Sequence, residues 1–478
     1  MLRPWKLEIQ INYGSEKAIY LQIADAIIAD IQSGRLKKGT ALPGSRILAR
    51  ELNLNRNTIV EAFNVLLSEE WIISKERRGT FVADILPVIN KNDKPQVFQG
   101  RGENSTPRLR IKFDDGSPDS KIAPVSELAR AYRQIFNRKA KWQMMGYANE
   151  FGNIEFRKAI SQMLNHQRGM QINEEQLCIT RGSQMAMFLA AHCLFKNGDH
   201  VMVENPGYKP AWKAFENSGA RLLPVNIDTE GLVIDDVKKH LKKHANIKAI
   251  YTTPHHQYPT TVTLSLQRRM ELIRLSNEYG FTIIEDDYDN EFHFGYRPVL
   301  PLCSYPELKN YIYIGTMSKV VAPALRIGYL ASNDNELLKG IKSLRKIIDI
   351  QGDSIMEQAV LQLIKDGTIK RHLKKATLYY KSKRDLVAHL LEKYLDGIAN
   401  YTIPDGGLAF WIVPREPVNW KQVSSQLENK GIKILLPETY SYHKVVNGLR
   451  LGYAYLSGEQ LEEGICELSI CLGQKPSS

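Results

Sequence analysis

GTMSKVVAPALRIG, residues 315–328, decides the fold of this 478-residue chain, because it runs from an apolar strand into a single lysine. Residues 311–314, YIYI, read as a buried strand, and Thr316, Ser318 and Lys319 then fall just past its end. Open α/β sheets bind their ligands at that place, beyond the carboxyl ends of the strands. A lysine in a partly desolvated pocket with other cations nearby is a useful amine nucleophile. Arg326, seven residues on, is such a cation. A bare Ser-Lys pair also describes a solvated surface lysine, so the reading depends on what the rest of the chain supplies.

Upstream, residues 281–285 form another apolar strand that runs into Asp286, Asp287, Tyr288 and Asp289. A carboxylate at a strand end, with a tyrosine two residues later, is what a pyridoxal phosphate site requires. The carboxylate pairs with the protonated pyridine nitrogen, and the phenol hydrogen-bonds the ring oxygen. Acidic clusters after strands also hold metals. Here only His293 lies at ligand spacing and the carboxylates would have to share one ion, so no metal is expected.

On these residues, positions 113–478 resemble a fold type I aminotransferase of the aspartate aminotransferase superfamily. That is an α/β fold, with a mostly parallel sheet in a large domain and a small C-terminal α+β domain. The resemblance implies that Lys319 forms the Schiff base with pyridoxal phosphate, that Arg326 and Thr316 hold its phosphate, and that Asp286 and Tyr288 take the ring nitrogen and phenolic oxygen. Further motifs follow in the family's order. Thr180 to Gln184 follow a strand at 177–179 and open an apolar helix, a turn that presents free N–H groups to an anion. The resemblance makes Gly182, Ser183 and Gln184 phosphate ligands. ENPGY, residues 204–208, supplies Tyr208 as the aromatic stacked on the ring. TPHHQYPTT, residues 253–261, is similar to the family loop that carries asparagine and ends Pro-Thr-Gly. It is one residue longer and ends in Thr261, which leaves His256 or Tyr258 for that contact. Tyr147, in GYANEFGN, resembles the tyrosine that reaches the partner's phosphate across a dimer, and Arg450, in LRLGYA, matches the arginine that forks a substrate carboxylate.

The first eighty residues are not needed for such a site. Residues 20–31 place Tyr20, Ile23, Ile27, Ile28 and Ile31 on one helical face. LPGSR, residues 42–46, starts a second helix with Ser45 placed to cap it and Leu48, Ala49 and Leu52 inward. Residues 58–70 make a third helix with Ile59, Ala62, Phe63, Leu66 and Leu67 as core. Helix-turn-helix spacing leaves Asn55, Arg56, Asn57 and Thr58 at the exposed start of that helix, where bases and phosphates are touched. Residues 72–75 and 80–82 read as a two-stranded wing with Arg77, Arg78 and Gly79 at its tip. The segment resembles the winged helix-turn-helix of the GntR family in its LP-x-SR-x-LA and R-x-T-h-x-x-A-[FY] patterns, with Gly44 where serine is frequent. Ser45, Arg46, Asn55, Arg56, Asn57, Thr58, Arg77, Arg78 and Gly79 are the expected DNA contacts.

Charge agrees with a polyanion partner: 64 Lys and Arg face 52 Asp and Glu, a net +12. Residues 1–83 hold 12 basic and 9 acidic residues, so the excess lies largely outside the first domain. The N-terminus lacks an apolar signal region and no run reaches the length of a membrane helix, which points to the cytoplasm and no membrane partner. Five scattered cysteines form no zinc pattern and read as reduced thiols. Residues 84–112, polar and dotted with Pro and Gly, read as a linker; the catalytic-type domain divides near residue 335 into a large domain and a small domain, 336–478.

A GntR-type winged helix joined to an aminotransferase-like domain is similar to the MocR subfamily of transcriptional regulators. The resemblance implies a pyridoxal phosphate-dependent regulator, a head-to-tail homodimer on double-stranded DNA with two half-sites, activating a neighbouring operon. An amino-compound effector docked on Arg450 would form an external aldimine and release Lys319, without turnover as an enzyme. The alternatives are a working aminotransferase with a DNA-binding appendage, and a direct sensor of pyridoxal phosphate.

Overall fold

The computed structural model describes residues 6–75, 78–87, 109–137, 145–295 and 299–473. It divides into two units, Met1–Asn104 and Ser105–Ser478.

In the first unit, helices Ile19–Gln32, Ser45–Glu51 and Arg56–Ser68 are followed by strands Ile72–Lys75 and Gly79–Val82. The strands pair antiparallel, Ile72 opposite Val82 and Lys75 opposite Gly79. Ile23, Ile27, Leu48, Ile59, Phe63, Leu66 and Trp71 form a common core. Two local expectations are corrected. The second helix is capped by Gly44, which has no side chain to give, so Ser45 is the first helical residue and not the cap. The third helix begins at Arg56, two residues early, because the Asn55 side chain accepts from Asn57 N and ends the turn there. Leu67 is 37 % exposed. It sits one position past buried Leu66, where the helix has turned by about 100° away from the core.

The second unit is built on an eight-stranded sheet. Its order is Leu177–Thr180, Gly328–Ser332, Tyr311–Thr316, Thr282–Asp287, Ile247–Thr252, His200–Asn205, Arg221–Asp228, Gly231–Leu232. Gly328–Ser332 runs antiparallel to both neighbours and Gly231–Leu232 antiparallel to the strand beside it; the rest is parallel. Every residue of Tyr311–Thr316 is buried. Parallel strands covered on both faces read as continuous apolar runs rather than alternating ones, which is why YIYI shows no period of two. Two apolar clusters cover the faces, one with Phe156, Leu272 and Ile283, the other with Ala190, Phe215 and Ile284.

The small domain has a three-stranded antiparallel sheet, Ala399–Tyr401, Ala409–Pro414 and Leu449–Gly452, under helices Thr368–Leu395, Trp420–Asn429 and Gly458–Gly473. Ile111–Lys112 pairs in parallel with Ile432–Lys433, so the chain has already joined the small domain at Ile111, ahead of the expected start at position 113. Among the described residues no helix is long and apolar enough to cross a membrane.

Candidate functional site

The pocket lies where the parallel strands end. Thr316 closes Tyr311–Thr316, Asp286 and Asp287 close Thr282–Asp287, and Tyr251 and Thr252 close Ile247–Thr252. Lys319, Asp286, Tyr288, Tyr208, Thr316, Arg326 and Ser183 all line it. Seven residues expected from the sequence therefore share one wall.

Lys319 follows directly from the strand. Ser318 N donates to Thr316 Oγ1 at 3.0 Å and Met317 N to Ile327 O at 2.9 Å, which pins the turn. Lys319 Nζ then sits 4.6 Å from the centre of the Tyr288 ring, a cation–π distance. Asp286 is 4 % exposed. Its Oδ2 accepts from the Tyr251 hydroxyl at 2.7 Å, while Oδ1 is buried without a partner. Burial pushes this carboxyl up to about 7; the Tyr251 hydrogen bond and Lys319 pull it back, and the Asp287 charge pushes it further. A buried acceptor with nothing to accept from is costly unless a ligand supplies the donor.

A second cradle faces it. Gly182, at φ 80°, opens helix Ser183–Leu194 without any side-chain cap, so the first-turn N–H groups are free for an anion. The Arg326 guanidinium lies against this end: Nη2 donates to Arg181 O at 3.2 Å, and a Cβ built on Gly182 would stand 2.6 Å from Nη2. Only glycine lets the arginine approach. Ser318 Oγ, also on the pocket wall, is buried without a partner. An acid awaiting a cationic ring nitrogen, a lysine, and an arginine beside a bare helix start make a donor set that fits pyridoxal phosphate. Asp286 would take the ring nitrogen, Lys319 the carbonyl carbon, and Arg326, Ser183 and Ser318 the phosphate.

Some residues are placed differently from expectation. Gln184 spends its side chain on Tyr208, Nε2 donating to the hydroxyl at 2.7 Å, and so orients the ring meant for stacking. Tyr258 lines the pocket edge-on to Tyr208 at 5.1 Å. His256 instead turns to Asp289, 2.8 Å from Nδ1 to Oδ1. Tyr288 donates its hydroxyl to His256 O at 2.8 Å. Arg450 is 1 % exposed and stands behind the wall, donating from Nε to Asp115 O, from Nη1 to Pro259 O and from Nη2 to the Tyr288 hydroxyl. Tyr147 is 87 % exposed and does not line the pocket of its own chain.

Sequence reasoning missed Tyr251, Thr253 and Asp115, which also line the pocket. It gave no role to Glu204, at the head of ENPGY. This buried carboxylate accepts from the hydroxyls of Thr252 and Thr253 at 2.6 and 2.7 Å and from Gln257, and so anchors the start of the TPHHQYPTT loop.

In the first unit, Arg46, Asn55, Arg56, Asn57, Arg78 and Gly79 are exposed, and Thr58 is half-buried. Arg56 Nε lies 3.5 Å from Ser45 Oγ, which joins the two helices of the motif at their exposed starts. Arg77 falls outside the described residues.

With this geometry in place, the chain's relatives define its class. Residues 111–468 match the aminotransferase class I and II family, and the chain belongs to it. The crystal structure of a multiple substrate aminotransferase from Thermococcus profundus superposes with a TM-score of 0.71 at 26% identity, covering 77% of this chain and 92% of that one. Pyridoxal 5'-phosphate is the cofactor of this class. Residues 19–82 match the gntR family of bacterial regulatory proteins. Similar over both domains are the uncharacterized HTH-type transcriptional regulator YdeL of Bacillus subtilis, 29% identical over 96% of this chain and 97% of its own, and the probable rhizopine catabolism regulatory protein MocR of Rhizobium meliloti, 26% identical over 96% and 94%. The two matches in one chain are the architecture of a MocR-type, pyridoxal phosphate-dependent transcriptional regulator.

Proposed function

We propose that this chain binds operator DNA through residues 1–83 and changes that binding when a carboxylate-bearing primary amine enters the cofactor pocket, without sustained turnover. One observation carries the reading: a helix-turn-helix with exposed arginines shares a chain with a pocket that joins Lys319, the uncommitted Oδ1 of Asp286 and the nearby Arg450. When bound, pyridoxal phosphate supplies an aldehyde that condenses reversibly with primary amines and a ring that withdraws electrons.

Arg450 is the dock for the effector's carboxylate. Among the described residues three of its five N–H groups are engaged, which leaves two, the number a forked carboxylate takes. Its partners Pro259 and Tyr288 belong to the large domain and Arg450 itself to the small one. A ligand on Arg450 therefore loads the junction between them, which also includes Gly407 N to Phe292 O and Gly207 N to Tyr440 O. We take the resulting shift to alter how two DNA-binding domains of a head-to-tail homodimer meet two half-sites, activating transcription of a neighbouring operon. Exposed Met145, Tyr147, Ile347 and Ile350 support a self-association surface, and sedimentation velocity tests it.

The test is an amine titration read twice, by the visible spectrum of the cofactor-loaded protein and by operator affinity. Both should move with one midpoint; a spectral change that leaves DNA affinity untouched sinks the regulatory coupling. A second reading is favoured by the same Lys319, Asp286, Tyr288 and Arg450, which together equip a working aminotransferase. Multiple turnovers of amino transfer to a keto acid, at roughly 1–1000 per second, would establish it.

For DNA, Arg56→Ala is expected to weaken operator binding and to reduce the slope of log affinity against log salt by about 1, the signature of one lost phosphate contact. Fluorescence anisotropy at several salt concentrations measures it. An unchanged slope with relaxed preference at one base would reassign Arg56 to base readout.

A further inference from the structure

The pocket wall carries one charge that neither the cofactor nor the carboxylate dock uses. Its charged lining residues are Asp115, Asp286, Lys319 and Arg326. The last three have roles toward the cofactor, and Arg450 behind them takes the effector's carboxylate. Asp115 is left over.

The chain fixes where Asp115 points. Asp114 Oδ1 accepts from Gly116 N at 2.9 Å and Ser117 N at 3.2 Å, and Asp114 O accepts from Gly452 N at 3.0 Å. On the other side Arg450 Nε donates to Asp115 O at 2.8 Å. Gly116 at φ 99° lets the turn close, and its backbone comes near enough to Arg450 that a Cβ would sit 3.5 Å from Nη2. These bonds hold the backbone on both sides of Asp115, so the carboxylate is presented by a rigid turn. Among the described residues that carboxylate makes no hydrogen bond or ion pair. Burial raises the hydroxyls of Tyr208 and Tyr258, and the Asp115 charge adds to both and supports the charge on Arg450. Tyr258 stands edge-on to Tyr208 and 4.9 Å from the Arg450 guanidinium, so Asp115 shares one end of the pocket with the carboxylate dock.

We infer that Asp115 selects effectors with a second cationic group besides the amine and the carboxylate, that is, basic or other diamino acids. The inference rests on the reading that the pocket takes an amino-compound effector. Selection works in two directions. A distal ammonium pairs with Asp115, whereas an apolar side chain of equal length would cover the carboxylate and strip its water without replacing it. With the effector's carboxylate matched by Arg450, the pair at Asp115 balances the remaining charge.

The test uses the full-length, cofactor-loaded protein and probes matched in carbon count: L-lysine against L-norleucine, and L-ornithine against L-norvaline. Half-saturation is read from the visible spectrum and binding from calorimetry. The basic amino acids should bind about tenfold tighter or more, and Asp115→Asn should bring the ratio to within about threefold while norleucine binds as well as before or better. A melting curve for the variant checks folding. A wild type that shows no preference overturns the inference, and so does a preference that survives Asp115→Asn. Equal loss for all four probes overturns it too, because it makes Asp115 a general proton acceptor or a structural residue. If the wild type responds to no amine, the effector reading itself fails and this inference falls with it; a response to norleucine equal to that for lysine defeats the Asp115 assignment alone.

Discussion

Lys319→Ala is expected to slow the spectral and operator-affinity responses to amines by about a hundredfold or more, while effector-free DNA binding stays within about twofold of wild type. Among the described residues the lysine is the single amine on the pocket wall, half-buried over the Tyr288 ring. A positioned nucleophile reacts with an effective concentration far above anything solution amines reach, so its loss is not compensated from outside. Asp286, Arg326 and Ser183 remain to hold the cofactor without a covalent bond, so a weaker occupancy should persist, its aldehyde open to amines without help from the lysine. DNA binding is spared because residues 1–104 have a core of their own, built on Ile23, Ile27, Leu48, Ile59 and Phe63. Lys319→Arg keeps the charge and removes the nucleophile, and should behave like the alanine variant. If Lys319→Ala responded to amines as fast as wild type, the lysine would have no part in sensing.

Much of this was legible in the sequence for a physical reason. Strands buried on both faces are written as unbroken apolar runs, so residues 281–285 and 311–314 mark their own ends, and the polar residues just beyond them, Asp286 and Lys319, are necessarily near the site. The helix start at Gly182 and the arginine at 326 were legible as separate motifs, and the fold brings them together. Tyr251 was not legible. It sits inside an apolar strand like any core aromatic, and its bond to Asp286 depends on the register that sets Tyr251 opposite Ile284 in the parallel ladder. His256 and Tyr258 were indistinguishable because loops have no period; the Asp289 carboxylate across the fold takes the histidine and leaves the tyrosine on the wall. The cap at Gly44 and the exposure of Leu67 are errors of one residue in helical phase, which an apolar pattern with adjacent hydrophobic residues does not resolve. Ile111–Lys112 is too short a strand to leave any pattern in a polar stretch. Asp115 is one of three acids in DDGSPD, residues 114–119, and only the turn fixed by Asp114 and Arg450 singles it out.

Asp286→Ala is expected to weaken cofactor binding by roughly two to three orders of magnitude and to remove much of its pH dependence. Leaving a charged partner buried and unpaired costs about 3–5 kcal/mol, and each 1.4 kcal/mol is about tenfold. The sign of the pH effect follows from burial. Asp286 is pushed up to about 7, so the folded protein keeps a proton there that the unfolded chain loses near the ordinary carboxyl value. Without a ligand its ionisation therefore costs stability, which falls as pH rises from the ordinary carboxyl value to about 7 and then levels off. A cationic ring nitrogen at Oδ1 favours the ionised form, so binding below about pH 7 must release this proton. Wild-type affinity should then rise with pH up to about 7 and level off, apart from the ligand's own titration, which Asp286→Asn subtracts because it keeps the shape without the charge. Calorimetry at about pH 6, 7 and 8 in buffers of different ionisation heat gives both the affinity and the proton count. The same variant without ligand should melt no lower than wild type above about pH 7, since it removes a buried ionisable group that has no partner on Oδ1. Wild-type affinity and an unchanged pH slope in Asp286→Asn would take the ring nitrogen away from Asp286 and leave the orphaned Oδ1 without its ligand.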